Sequence, residues 1–302
     1  MTGPRPTSTD AAGWCQRWLH GRQSWRHRSE PGGFDRDRYA IVPVDYEPAR
    51  RFVTGHHYSA TWPVDQLRYG LLDVTGPAPS TAELAVDGQR LVGVIVLGVP
   101  MNKAVLTGPF PTLVPYRESM DLARLVLLDE VPANAETFFT ARALRLAAGE
   151  GVRGLTAYAD PTERLHRLPD GTTVTIKRGH LGYVYQAGGW TYLGRSKPRP
   201  QILLPDGTVL NARAIAKVTG GERGQDAIIH HLRALGATEP RPDRCQRSWL
   251  DEALNDIGAH RERHTGCHKY AIRVGRNRAE RTSTPIPLSG GPYPKHNHLE
   301  PR

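Results

Sequence analysis

Asp160 stands directly before Pro161, at the end of an apolar run from Val152 to Ala159. Strand ends are where open α/β sheets gather reactive groups, and a following proline holds the backbone extended, which helps to aim the carboxylate. Such a group can act as general base or metal ligand, and it can equally be a turn residue. His57-Tyr58-Ser59, with His56 beside them, place an imidazole, a phenol and a hydroxyl on one loop. An imidazole titrates near neutral pH and binds metals, and a phenol donates a proton or stacks on a base. The plainer reading is a hydrogen-bonded loop anchor. Arg124 falls inside the apolar stretch Leu122-Ala123-Arg124-Leu125-Val126, with Glu118 and Asp121 just before it. A buried guanidinium there calls for an anionic partner, either a protein carboxylate or a ligand phosphate. Asn134, with Thr137 three residues on, reads as a helix N-cap whose amides could also hold an anion. Cys245, His260, His264, Cys267 and His268 have zinc-ligand chemistry, with His260 and His264 expected on one helix face. Their spacing follows no established finger, so ordinary polar surface is the alternative.

These residues need elements to hold them. Tyr39 to Val44 reads as a first strand and Glu47 to Thr54 as a short helix leading into the His57 loop. Glu83 to Val86 and Leu91 to Val99 read as strands joined by a hairpin turn at Asp87-Gly88. Leu122 to Leu128, Ala135 to Ala148 and Val152 to Ala159 form a strand–helix–strand crossover, which implies two parallel strands. Thr162 to Arg178 is a polar excursion with a turn at Pro169-Asp170-Gly171. A short helix from Gly179 to Gln186 and a strand from Trp190 to Gly194 follow. Gln201 to Leu204 and Thr208 to Leu210 read as a hairpin, and Ala212 to Val218 with Gln225 to Leu235 as two helices. The linker Gly220-Gly221-Glu222-Arg223-Gly224 is longer than the turn of a DNA-binding helix-turn-helix, so these are either that motif or two packing helices. The order implies a mixed-sheet α/β fold rather than a doubly wound one.

The chain has 302 residues, room for one large core with accessory segments. Its three cysteines, Cys15, Cys245 and Cys267, form no disulfide framework, which makes a reducing, cytoplasmic setting the expectation. The N-terminus has no signal-peptide pattern, and no window is apolar enough to cross a bilayer, so no membrane partner is expected. Net charge is +10. Residues 1–38 carry seven Lys/Arg against four Asp/Glu, and residues 240–302 carry twelve against seven, so the excess lies in the flanks. Such flanks suit phosphate backbones, or solubility alone. In the first flank Trp14, Trp18 and Trp25 alternate with basic residues, as in a surface that stacks on bases, or in a short helix whose indoles pack on the core. The tail beyond Thr282, rich in Pro and Gly, reads as extended or disordered. Walker, Gly-x-Gly-x-x-Gly, His-Glu-x-x-His and Gly-x-Ser-x-Gly patterns are absent, which removes support for nucleotide hydrolysis, Rossmann redox chemistry and serine hydrolysis.

Taken in order, several stretches resemble the Mom family of phage and prophage proteins that modify adenine in DNA. They are His57-Tyr58-Ser59, Leu122-Ala123-Arg124-Leu125, Asn134-Ala135-Glu136-Thr137-Phe138-Phe139, Tyr158-Ala159-Asp160-Pro161, Gly179-His180-Leu181-Gly182 through Tyr185-Gln186, and Tyr192-Leu193-Gly194-Arg195. The resemblance covers Tyr39 to Arg195, about half the chain. It implies a GNAT-like mixed central β-sheet flanked by helices (39–200), with a basic N-terminal arm (1–38), an α+β C-terminal extension (201–281) and a tail (282–302). It also implies transfer of a small carbamoylmethyl or acyl-type group to the exocyclic N6 of adenine, shielding DNA from restriction enzymes. Carried over by position, His57, Tyr58, Arg124 and Asp160 become the active-site residues. Asn134, Thr137 and Arg124 become donor contacts, and Ser59, Trp62 and Tyr185 base contacts.

Two departures bear on the donor. The segment between Leu128 and Phe138 lacks the Gln/Arg-x-x-Gly-x-Gly/Ala loop that holds coenzyme A pyrophosphate in GNAT enzymes, so an acyl-CoA donor does not follow. His57 with Asp160 would also suit iron. The implied partner is double-stranded DNA, with a flipped adenine as the acceptor, and a homodimer would suit a palindromic target. The competing readings are a GNAT-type acyltransferase for a small-molecule, protein or tRNA-linked amine, and a non-catalytic DNA-binding protein.

Overall fold

The computed structural model describes residues 14–19, 22–27, 34–57, 59–76, 80, 84–132, 134–167, 171–177, 179–241 and 245–295. In chain order, β1 (Trp14–Leu19) and β2 (Arg22–His27) form an antiparallel hairpin, so the short helix considered for this segment gives way to strands. β3 (Tyr39–Pro43), α1 (Tyr46–His56), β4 (Asp65–Asp73), β5 (Ala85–Val86), β6 (Gln89–Gly98) and the single-turn α2 (Ala104–Thr107) follow. Asp87 and Gly88, both at positive φ, make the turn between β5 and β6 that this pair of residues favours. The crossover unit is β7 (Ser119–Leu127), α3 (Ala135–Gly149) and β8 (Gly154–Ala159). Next come the hairpin β9 (Arg164–Arg167) and β10 (Thr173–Lys177), then α4 (Tyr183–Ala187) and β11 (Thr191–Arg195). The turn expected at Pro169-Asp170 lies outside the described residues. The last third holds β12 (Arg199–Leu203), β13 (Val209–Leu210), α5 (Ala212–Thr219), α6 (Gln225–Ala234), α7 (Gln246–Asp256), β14 (His260–His264), β15 (His268–Arg273) and α8 (Arg278–Ser283).

Two compact units result: 1–158 with 182–194 and 269–302, and 159–181 with 195–268. The linear boundary expected near residue 200 is replaced by an interleaved one, because β15 returns to the sheet of the first unit.

That sheet has the strand order β11-β15-β8-β7-β6-β4-β3, with β5 beside β6. β3, β4, β6 and β7 pair antiparallel, whereas β7 and β8 are parallel, as the crossover through α3 requires. The mixed sheet flanked by helices is therefore present. α1 buries Ala49, Phe52 and Val53 against Val94 and Val96 of β6 and Val126 of β7. Residues of the opposite parity, Leu71, Ile95 and Leu97, are fully buried too. A sheet covered on both faces reads as near-continuous apolar strands rather than as alternation. The hydrophobic gain at each such side chain is about 1.5–3 kcal/mol.

In the second unit, β12 pairs with β13 and β14 in a small antiparallel sheet. α5, α6 and α7 accompany it around a core that includes Leu204, Val218, Leu232, Trp249, Leu250 and Leu254. Asn211 caps α5 by accepting from the Ala214 amide, and a bidentate Arg213–Glu222 ion pair braces the α5–α6 turn. No helix among the described residues is long and apolar enough to cross a membrane.

Candidate functional site

In the first unit, the parallel register of β7 and β8 runs Ser119↔Gly154, Met120↔Leu155 and Asp121↔Thr156, and stops there. Beyond that point β7 continues paired to β6 as far as Leu127, so the two parallel strands part after Asp121 and Thr156. The Thr156 hydroxyl donates to Asp121 Oδ1 at 3.0 Å. Burial drives the Asp121 carboxyl up to about 6, against the opposing pull of Thr156 and of the Arg124 charge. A carboxyl tuned to that range exchanges protons efficiently near neutral pH. Thr156 also lines a cleft of about 110 Å³, together with Tyr158, Lys269, Tyr270 and the Ala104–Pro109 segment. The cleft has room for roughly four water-sized groups. Sequence reading noted Asp121 only as a neighbour of Arg124. Its signal was a carboxylate two residues into a strand, which becomes informative only once the register opposite Thr156 is known.

A chain of side-chain contacts runs from Arg124 to the loop after α1. Arg124 donates to the Thr61 carbonyl (3.2 Å), to Thr61 Oγ1 (2.9 Å) and to the Ala123 carbonyl (2.7 Å). Thr61 Oγ1 lies 3.1 Å from Ser59 Oγ, which lies 2.7 Å from His57 Nδ1. The Ser59 amide donates to the same nitrogen, so Nδ1 is an acceptor. His57 and Arg124, expected in the active site, and Ser59, expected as a base contact, thus share one hydrogen-bond network. Arg124 meets the backbone and a hydroxyl, and its charge opposes the burial-driven rise of the Asp121 carboxyl. Tyr58 lies outside the described residues.

The other expected contacts of this unit fall differently. Trp62 donates from its indole nitrogen to Asp65 (2.9 Å) and meets Tyr46 edge-on, which leaves it half-buried beside the α1 core. Tyr185 is buried between Trp190 and Tyr270, with ring centroids 5.1 and 5.3 Å away, so its ring is a core aromatic rather than a platform for a base. Asn134 precedes α3 in the left-handed conformation (φ 77°) and makes no side-chain cap bond. The Thr137 hydroxyl donates back to the Asn134 carbonyl at 2.9 Å. The expected side-chain cap is therefore absent, and Asn134 takes the left-handed backbone rather than the extended one usual for a capping residue.

The second unit holds a polar cluster around Asp160. Its Oδ1 accepts from the Thr162 amide (2.9 Å) and lies 2.9 Å from His264 Nε2, while Oδ2 pairs with Lys177 Nζ at 2.8 Å. Lys177 also donates to the Thr162 carbonyl at 2.6 Å. Lys177 and His264 are both buried. Burial alone would raise the Asp160 carboxyl, but Lys177, the Thr162 amide and His264 outweigh it and hold the group below the usual carboxylate range. Asp160 is thus ionised and a weak proton acceptor, better suited to holding a cation than to general-base work. Burial and the Lys177 charge bring the His180 imidazole down to about 4, so it stays neutral at physiological pH.

Asp160, His264 and Cys267 offer a carboxylate oxygen, a ring nitrogen and a sulfur all within 4.8 Å of one another. Among the described residues this is the group suited to a metal, and His57, expected as the partner of Asp160, is not in it. The five-residue zinc set is also revised. Cys245 is exposed at the start of α7, with its sulfur engaged by Ser248, and His260 and His264 lie on a strand instead of a helix face. Only His264 and Cys267 of that set come together, joined by Asp160 from more than a hundred residues away in sequence.

No curated protein matches the chain. Solved structures with similarity include a tandem GNAT protein from the clavulanic acid biosynthesis pathway (13% identity, 80% of this chain and 75% of that chain, TM-score 0.30). A GNAT-family acetyltransferase from Streptococcus pneumoniae (9%, 78% and 99%, TM-score 0.33) and the aminoglycoside 6'-N-acetyltransferase from Enterococcus faecium (14%, 55% and 88%, TM-score 0.29) are also similar. The model of the Mom protein family matches residues 38–241, more than half of the chain and all of the parallel crossover β7–α3–β8, and the protein belongs to that family.

Proposed function

We propose that this protein is a DNA-modifying transferase that places a small carbamoylmethyl or acyl-type group on the exocyclic N6 of adenine and so protects the DNA from restriction. The observation that carries the reading is family membership across residues 38–241. The opening between β7 and β8, with Asp121 behind Thr156, supports it chemically. An aromatic amine is a poor nucleophile until it loses a proton. As N6 attacks the electrophilic carbon of the donor, the bond from that carbon to the donor's leaving group breaks, and the amine proton passes through the Thr156 hydroxyl to Asp121. Arg124 keeps positive charge near that carboxylate, and the His57–Ser59–Thr61 chain fixes Arg124. The small cleft suits the transferred group rather than a whole nucleotide. Net charge of +10 favours a polyanionic substrate.

Restriction protection tests this directly. Plasmid recovered from cells expressing the protein should resist endonucleases whose sites contain adenine and remain sensitive to those whose sites lack it. Full sensitivity to both classes, with abundant soluble protein, would favour an acyltransferase for another amine.

A further inference from the structure

We propose that Asp160, His264 and Cys267 form a mononuclear site for a divalent transition-metal ion of zinc's class, in the second compact unit and distinct from the Asp121–Thr156 opening. Three unlike donors converge there: a carboxylate at the end of β8, an imidazole at the end of β14 and a thiol three residues further on, all within 4.8 Å. Bonds of about 2.0–2.3 Å at tetrahedral angles put oxygen and nitrogen ligands about 3.4 Å apart, and either of them about 3.6 Å from sulfur. The observed 2.9 Å between Asp160 Oδ1 and His264 Nε2 is about half an ångström shorter than that spacing, so the two ligand atoms part slightly as the ion replaces the proton between them.

The surroundings suit a bound ion. Lys177 and its contact to the Thr162 carbonyl hold Asp160 Oδ2, which presents Oδ1 as a single ligand oxygen and locks its direction. Ser196 Oγ accepts from the Cys267 amide at 2.9 Å, which fixes the residue that carries the sulfur. Carboxylate and thiolate set two negative charges against the dication and the paired Lys177 ammonium, so the loaded site carries one net positive charge, and three protein ligands leave a fourth tetrahedral position for water or substrate.

Loading has a defined proton balance. The Cys267 thiol releases one proton to solvent as the metal–sulfur bond forms. The His264 ring moves its proton from Nε2 to Nδ1, and the Gly266 amide, which donates to Nδ1 at 3.0 Å, gives up that bond. A mixed oxygen, nitrogen and sulfur set favours zinc, cobalt or ferrous iron over magnesium or calcium.

The test uses the full chain, stripped with chelator and titrated with Co²⁺. One equivalent should produce a thiolate-to-cobalt charge-transfer absorption that Zn²⁺ then abolishes. Cys267→Ser should remove that absorption, and His264→Ala should weaken Zn²⁺ binding at least about tenfold. A Cys15→Ser/Cys245→Ser double variant should keep both. Circular dichroism of each metal-free variant separates lost binding from lost folding. No sulfur-to-cobalt absorption in the folded wild type, or an absorption that survives Cys267→Ser, would overturn the site. This readout is independent of any modification of DNA.

Discussion

Asp121 carries the sharpest consequence at the residue scale. Its folded value of about 6, against an ordinary 3.8, means that the fold favours the protonated form. The stability this contributes is complete below about pH 4 and is lost as pH rises through 6, so at pH 8 the ionised carboxylate costs the fold up to about 3 kcal/mol. Asp121→Asn should therefore raise the Tm at pH 8 and change it little at pH 4. Thermal melts at the two values check this, and equal shifts at both would contradict it. The same substitution removes the proton acceptor, so activity should fall at least about 100-fold, and wild-type activity should climb as pH passes 6. A variant that is both more stable and less active is the pattern of a functional group held at a cost to folding.

At the scale of elements, the start of α3 separates two roles for one residue. A side-chain cap at Asn134 would make Asn134→Ala cost about 1 kcal/mol and Asn134→Gly a few tenths, with both destabilising. The left-handed backbone at φ 77° instead makes glycine neutral or stabilising and alanine worse by about 1 kcal/mol. Urea denaturation of the two variants distinguishes these outcomes. The crossover β7–α3–β8 was legible because its apolar runs are long and its break at Pro132 is clear. β4 was not, since Asp65-Gln66-Leu67-Arg68-Tyr69-Gly70-Leu71-Leu72-Asp73 mixes charge and glycine into a strand that is specified by its neighbours on both sides. β15 was missed for the same reason, because His268-Lys269-Tyr270 reads as surface until the sheet that buries Tyr270 is known. Site residues followed the same rule. His57, Ser59 and Arg124 were visible as motifs, whereas the partnership of Asp160 with His264 depends on folding across 104 residues.

For the whole molecule, the net charge gives the proposed duplex substrate a measurable signature. A chain with net charge +10 that grips about six phosphates should lose roughly 10³-fold in duplex affinity between about 50 and 200 mM salt, along a straight line of log affinity against log salt. Fluorescence anisotropy with a labelled duplex gives the slope, and a flat profile would remove DNA as the natural partner. The most direct test of the central claim is the nucleoside content of DNA from cells expressing either the wild type or Asp121→Asn. Mass spectrometry should find a deoxyadenosine of increased mass with the wild type, its increment naming the transferred group, and unmodified deoxyadenosine alone with the variant. Unaltered nucleosides in both, from cells rich in folded protein, would contradict adenine modification; the heavier species in both would retain that function and remove Asp121 from its chemistry.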